Sequence, residues 1–217
     1  TQTVEDTPPD YNWSKYEGLG FYFENDVPGG PNGTKPGENK EGGTSASNYD
    51  VYYNQYIGLK TIYNEKAPTY VNSNGKIFES AGIPNFFSQV IEGNFNTIQT
   101  ELIKQIDDVL VKKKGSITLE MIGSASAPQE ESYNQKLSER RNDSVRKWFL
   151  DVTLSDGNKI SYYGDKFKMI LNPQGEVTVI PQTRAIATAT TETNDISVAN
   201  AQGGDVLSAS INCSVDS

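Results

Sequence analysis

The stretch from 84 to 122 constrains the fold more than any other part of this chain. Phe87, Val90, Ile91, Phe95, Ile98, Leu102, Ile106 and Val109 recur every three or four residues, the period of a helix with one apolar stripe. Pro84 suits the first turn of that helix, Gly93 weakens it near the start, and Gly115 is placed to end it. Directly afterwards "SITLEMI" (116–122) alternates Ile117, Leu119 and Met121 with Thr118 and Glu120, the period of a half-buried strand. A long amphipathic helix followed at once by a strand needs a second layer to cover each. The fold class is therefore α+β, a mixed sheet with helices packed on one face.

The other elements are placed by the same logic. "GLGFYFEN" (18–25) alternates Leu19, Phe21 and Phe23 with Gly20, Tyr22 and Glu24 and is expected to be a strand. Tyr49 to Asn64 is expected to be one helix, with Tyr52, Tyr56, Leu59 and Tyr63 on one face; the stripe is a packing face in preference to a sugar-stacking platform. Ser132-x-x-Gln135 has the capping-box pattern, so a helix should start there and run to about Val152. Residues 166–171 form a strand, Asn172-Pro173-Gln174-Gly175 a turn, 176–180 a further strand, and 206–213 a last one. Residues 1–15 read as a polar linker and 16–217 as one domain. Insertions are expected at about 27–48, 153–164 and 183–204. The first holds six glycines and three prolines and is expected to be a long solvated loop.

Composition narrows the function. The net charge of −9 opposes binding to a phosphate backbone, so nucleic acid is not an expected partner. The one basic run, Lys112 to Lys114, falls where cations complement a helix C-terminus. There is no histidine, which removes histidine-based nucleophilic sites and histidine-ligated metals. The single cysteine, Cys213, cannot close an internal disulfide; burial is its default. No apolar run approaches 18 residues, so no membrane-inserted helix is expected. Gly18-Leu19-Gly20 fails the dinucleotide fingerprint, and no cofactor is expected. Glu130 and Glu131 are adjacent carboxylates, more simply a solvated face than an acid–base pair. The chain is not expected to be an enzyme.

One residue breaks the amphipathic pattern. Arg141 lies four residues after Leu137 and four before Val145, on the apolar face of its helix. An arginine there has a buried partner or meets a ligand. The fold-holding choices are Glu120, Asp143 or a loop carbonyl.

The residues around Arg141 also carry a family likeness. "GSASAPQEESYNQKLSERRNDSV" resembles the signature of the OmpA-like, peptidoglycan-associated domain: Gly123 opens it, and Tyr133-Asn134, Leu137-Ser138, Arg141 and Val145 follow without a gap. "FYFENDVP" is similar to the aromatic-rich opening of a divergent branch found in envelope proteins of Bacteroidetes-type bacteria. The resemblance spans about 18–215 and is specific at 20–28 and 117–149. It implies an OmpA-like β-α-β-α-β sandwich that binds peptidoglycan without covalent chemistry.

In such a domain the arginine grips a carboxylate of the diaminopimelate stem peptide, a role that carries over onto Arg141 and suits a guanidinium fork. Asn134 and Ser138 complete the implied ligand-binding set with Ser126. Ser126 stands where the family has an aspartate, and serine cannot neutralise an ammonium; paired arginines expected before the last strand are replaced by Ala201-Gln202-Gly203-Gly204. The implied role is a tether between the cell wall and an outer-membrane, secretion or motility assembly, located in the periplasm or at the outer membrane, with other envelope proteins as partners. The alternative is a structural subunit of a surface appendage or virion that keeps the fold for protein–protein contacts and does not bind peptidoglycan.

Overall fold

The computed structural model describes residues 13–16, 19–24, 26–29, 42–66, 82–125, 130–176 and 211–216, the last as backbone alone. Most of the expected linker, the middle of the 27–48 insertion, the loop around 67–81, Ser126, the expected strand after Glu176 and the 183–204 insertion lie outside the described residues.

The strand expected over 116–122 forms as β1, Ser116–Ala125, three residues longer than its alternation indicated. It is the middle of a mixed sheet ordered β2-β1-β3, with β2 at Phe167–Glu176 and β3 at Ile211–Asp216. β1 and β2 are parallel, Ile117 opposite Phe167 and Met121 opposite Leu171. β1 and β3 are antiparallel, and Cys213 is in register with Leu119. Ile117, Leu119 and Met121 are buried on one face and belong to the main core. The α+β class with a mixed sheet is therefore present.

Among the described residues, four helices accompany the sheet, apart from short 3-10 turns. The tyrosine-rich segment is two helices, α1 (Tyr49–Gly58) and α2 (Lys60–Lys66), broken at Leu59. Gly58 at the junction lowers helix propensity where a single helix was expected. Tyr52 and Tyr56 are buried, so the stripe is a packing face. The long amphipathic element, α3, is helical over 82–112. Its inward residues Phe87, Ile91, Phe95, Ile98, Leu102, Ile106 and Val109 step 4-4-3, an 11-residue repeat slightly wider than an ideal helix. Three π-helical stretches, Phe86–Glu92, Ile98–Leu102 and Asp108–Lys112, supply the extra width. Gly115 does not end this helix; Lys114 takes the left-handed position at φ 56°. The Gly115 N–H then returns to the Val109 carbonyl at 2.9 Å.

The last helix, α4, runs Glu131–Asp151, with Glu130 at its N-cap. The capping box on Ser132 does not form. Gln135 instead donates to the Glu139 carboxylate and the Pro173 carbonyl, each at 3.3 Å. A short hairpin follows, Leu154 N–H to the Asn158 carbonyl at 2.8 Å, then a 3-10 turn at Ile160–Lys166 that leads into β2. The turn expected at 172–175 is absent. β2 continues through it with one extra residue, Pro173 opposite Gly123 and Glu176 opposite Ala125, and Gly175 at φ 65°. Among the described residues β2 is an edge strand, a place where a proline and a bulge are tolerated.

The segment 19–24 departs most from expectation. Its alternation is real, but no strand forms. Phe21 and Phe23 enter the main core with Tyr49, Phe95 and Trp148, while Tyr22 enters a second cluster with Tyr56, Phe87 and Ile91. Both faces are buried, and a side chain of α1 supplies the hydrogen bonds a neighbouring strand would have made. Tyr16, in a 3-10 turn at Trp13–Tyr16, is also buried in the main core, so the chain is already docked before residue 16.

Candidate functional site

The middle of α4 is covered on every side. Residues 140–145 are all buried, and six successive helical positions cannot share one face. The sheet covers one side, Val145 and Phe149 entering the main core. The two ends of the 27–48 insertion cover the other. The first end, 27–29, is buried where a solvated loop was expected; in the second, Ser45 is 3 % exposed while Thr44 and Ala46 on either side are exposed.

Two adjacent arginines make this cover possible. Arg141, 2 % exposed, donates from Nε to the Val27 carbonyl at 2.9 Å, from Nη1 to the Ser124 carbonyl at 3.1 Å and from Nη2 to the Glu24 carbonyl at 3.3 Å. Its guanidinium also lies 5.5 Å from the centre of the Phe23 ring, within cation–π range. Of the fold-holding partners expected, the loop carbonyl is met at Glu24 and Val27, joined by the Ser124 carbonyl of β1. Arg140 points the other way round the helix, donating from Nε to the Pro28 carbonyl at 2.8 Å and from Nη1 to the Gly42 carbonyl at 3.1 Å. One guanidinium thus joins both ends of the insertion. Burial lowers the Arg140 pKa from its ordinary value.

Two further groups complete the cluster. The Tyr133 hydroxyl donates to the Asp26 carboxylate at 2.8 Å. Burial, with that bond to Asp26, pushes the phenol pKa up to about 12. Asp143 accepts from the Ser45 N–H at 2.8 Å and from Arg146 Nη2 at 2.6 Å, and pairs with Lys147 Nζ at 3.1 Å. Burial disfavours its charge, but the Ser45 N–H, Arg146 and Lys147 together outweigh burial and hold its pKa below the ordinary carboxylate value.

The expected ligand set separates. Asn134 is 1 % exposed, in the first turns of α4, its N–H bonded to the Glu130 carbonyl at 3.0 Å. Ser138 is fully buried: it donates to the Gln135 carbonyl at 2.8 Å and accepts from the Gly175 N–H at 3.1 Å, tying α4 to the bulge of β2. Ser126 lies outside the described residues. Glu130 and Glu131 are both exposed. The sequence did not single out Arg140 or Asp26; it marked Tyr133 only within the family-like pattern, and Asp143 only as a possible partner of Arg141, whereas Asp143 holds Ser45, Arg146 and Lys147. The one signal was the Arg140-Arg141 doublet, where a helical wheel assigns Arg140 to solvent.

Among the described residues no group of three acidic, cysteine or histidine side chains is arranged to hold a metal, and no helix is long and apolar enough to cross a membrane. What the arrangement does chemically is chiefly bind main chain: the two guanidinium groups take the carbonyls of Glu24, Val27, Pro28, Gly42 and Ser124, the Asp143 carboxylate takes the Ser45 N–H, and the Tyr133 phenol holds the Asp26 carboxylate. No protein-family model, no curated protein and no solved structure matches the chain.

Proposed function

We propose that the chain is a non-catalytic structural module with an OmpA-like layout, used for protein–protein contacts in an envelope, surface-appendage or virion assembly. The observation that carries this reading is the commitment of Arg141, at 2 % exposure, to three main-chain carbonyls of its own chain. The layout is supported by the β1-α4-β2 unit, a parallel pair bridged by a covering helix. An arginine that holds its own backbone is a fold residue, and Asn134 and Ser138 are buried within the same packing.

A second reading is the peptidoglycan tether, bound through the stem peptide and located at the outer membrane or in the periplasm. Arg141 favours it by position: it reaches Ser124 at the C-terminal end of β1, and the Tyr133-to-Val145 pattern implies a carboxylate grip there.

A calorimetric titration of the chain with a diaminopimelate-containing muropeptide separates the two, with Arg141→Ala alongside. The structural reading expects no saturable binding and a lowered melting temperature for the variant. Saturable binding that Arg141→Ala abolishes would replace it with the tether.

A further inference from the structure

Far from Arg141, two buried polar atoms have no hydrogen-bond partner among the described residues: the Tyr16 hydroxyl and Gln105 Oε1. Tyr16 as a whole is 0 % exposed. A hydroxyl or amide oxygen buried in that state destabilises the fold, and native chains rarely keep one without a use for it. Both residues line one groove of about 390 Å³, between the 3-10 turn at Trp13–Tyr16 and the second half of α3. A water takes up about 30 Å³ of liquid, so the groove has room for a small organic molecule. Its charges are unequal. Glu101 pairs with Lys15 at 2.7 Å, and Asp108 with Lys112 at 3.0 Å. The first pair holds the Lys15 ammonium 4.8 Å from the centre of the Tyr16 ring. Lys104 lines the same groove, is exposed and takes no ion pair among the described residues. Three lysines against two carboxylates leave one net positive charge there, in a chain of net charge −9.

We propose that this groove binds a small carboxylate with an N–H donor beside its acid group, the chemistry of an N-acylated amino acid. The Lys104 ammonium and the Tyr16 hydroxyl are donors for the carboxylate, and Gln105 Oε1 accepts the N–H. The surplus lysine sets the sign of the ligand's charge. Gln105 Oε1 sets its second requirement, since an anion with no donor of its own would leave that oxygen unpaired. None of these residues belongs to the Arg141 cluster, so the site depends on neither reading of that cluster.

The test follows the amide spectrum of the chain by NMR during titration with N-acetylalanine, with propionate and with N-acetylalanine amide. The site predicts saturable shifts along 13–16 and 100–112 with the first. Propionate lacks the N–H and the amide lacks the charge, so each should bind at least about tenfold more weakly. Acetyl-trialanine ends in the same chemistry: tighter binding than N-acetylalanine assigns the site to a peptide C-terminus, weaker binding to a free acid. Lys104→Gln changes an exposed side chain and should weaken N-acetylalanine about tenfold with the fold intact. Tyr16→Phe should weaken it by a similar factor, yet leave the free chain as stable as before or more so, because the deleted hydroxyl has no partner. A lower melting temperature for Tyr16→Phe with unchanged binding makes the hydroxyl structural and overturns the site. No saturable shift with any probe leaves the groove to water and overturns it too, and equal binding of all three probes overturns the assigned chemistry.

Discussion

The Tyr49 hydroxyl makes two hydrogen bonds to one residue: it accepts from the Tyr22 N–H and donates to the Tyr22 carbonyl, both at 3.0 Å. A side chain thereby does for Tyr22 what an adjacent strand does for a strand residue. Both tyrosines are buried, and burial raises both phenol pKa values. Tyr49→Phe keeps the ring contacts with Phe21 and Phe23 but deletes the hydroxyl that bonds the Tyr22 N–H and carbonyl. The expected loss is about 1–3 kcal/mol in urea unfolding, from about 0.5–1.5 kcal/mol for each hydrogen bond removed. The Tyr22 amide should also lose hydrogen-exchange protection beyond the change in global stability.

Arg141→Ala removes three charge-assisted bonds from buried carbonyls. A destabilisation of roughly 3 kcal/mol or more follows from about 1.5–3 kcal/mol for each such bond, which do not add fully. Arg141→Lys should recover only part of it, because one ammonium cannot span carbonyls from Glu24, Val27 and Ser124. Thermal unfolding of the three proteins side by side checks the order.

At Gly123 of β1 the side chain of Asn142 on α4 packs directly against the strand backbone. A Cβ there would sit 2.4 Å from Asn142 Oδ1, and Asn142 is 1 % exposed with little room to move. Gly123→Ala should destabilise by about 1–3 kcal/mol through overpacking. Asn142→Ala in the same chain should restore most of it, giving a coupling energy above about 1 kcal/mol in a double-mutant cycle. Additive single effects would show that the two residues do not press on each other.

Asp143 gives the fold an acid sensitivity. Its folded pKa is below the ordinary value, so its contribution is complete above the usual aspartate range of about 3.9 and is lost as pH falls through the folded value. Glu24 and Asp50 act in the opposite sense: burial raises both, so they favour the fold in their protonated forms and weaken it as pH rises through their titration. Urea midpoints measured from pH 7 to pH 3 should fall less steeply for Asp143→Asn than for the native chain. The Ser45 amide resonance should titrate with the Asp143 carboxylate.

Lys114 holds a left-handed conformation that a side chain disfavours by about 1–2 kcal/mol. Lys114→Gly should raise stability by about 0.5–1 kcal/mol, since glycine is the usual residue at this point after a helix. The adjacent Gly115→Ala should not, because its Cβ would lie 3.1 Å from Val109 Cγ1. Melting temperatures of the two variants should move in opposite directions.

The sequence alone determined the elements whose signal is local. The helical period of 87–109 and the alternation of 117–121 each specify which face is buried, and each buries that face here; the amphipathic run up to about Val152 specified a helix, but not the burial of all its faces over 140–145. Tertiary structure decided everything that depends on a partner far along the chain. The alternation of 19–24 set Phe21 and Phe23 apart from Tyr22, but Tyr22 is buried too, and whether the segment joins a sheet depends on what lies beside it, which is Tyr49. Asn172 to Gly175 has the composition of a turn, yet parallel pairing with β1 carries the strand through it. Arg141 shows the limit best. Its place on an apolar face was legible, but its partner Val27 is 114 residues away. A helical wheel holds no record of what wraps the outside of the helix, so only the folded chain could show Arg140 and Arg141 gripping their own backbone.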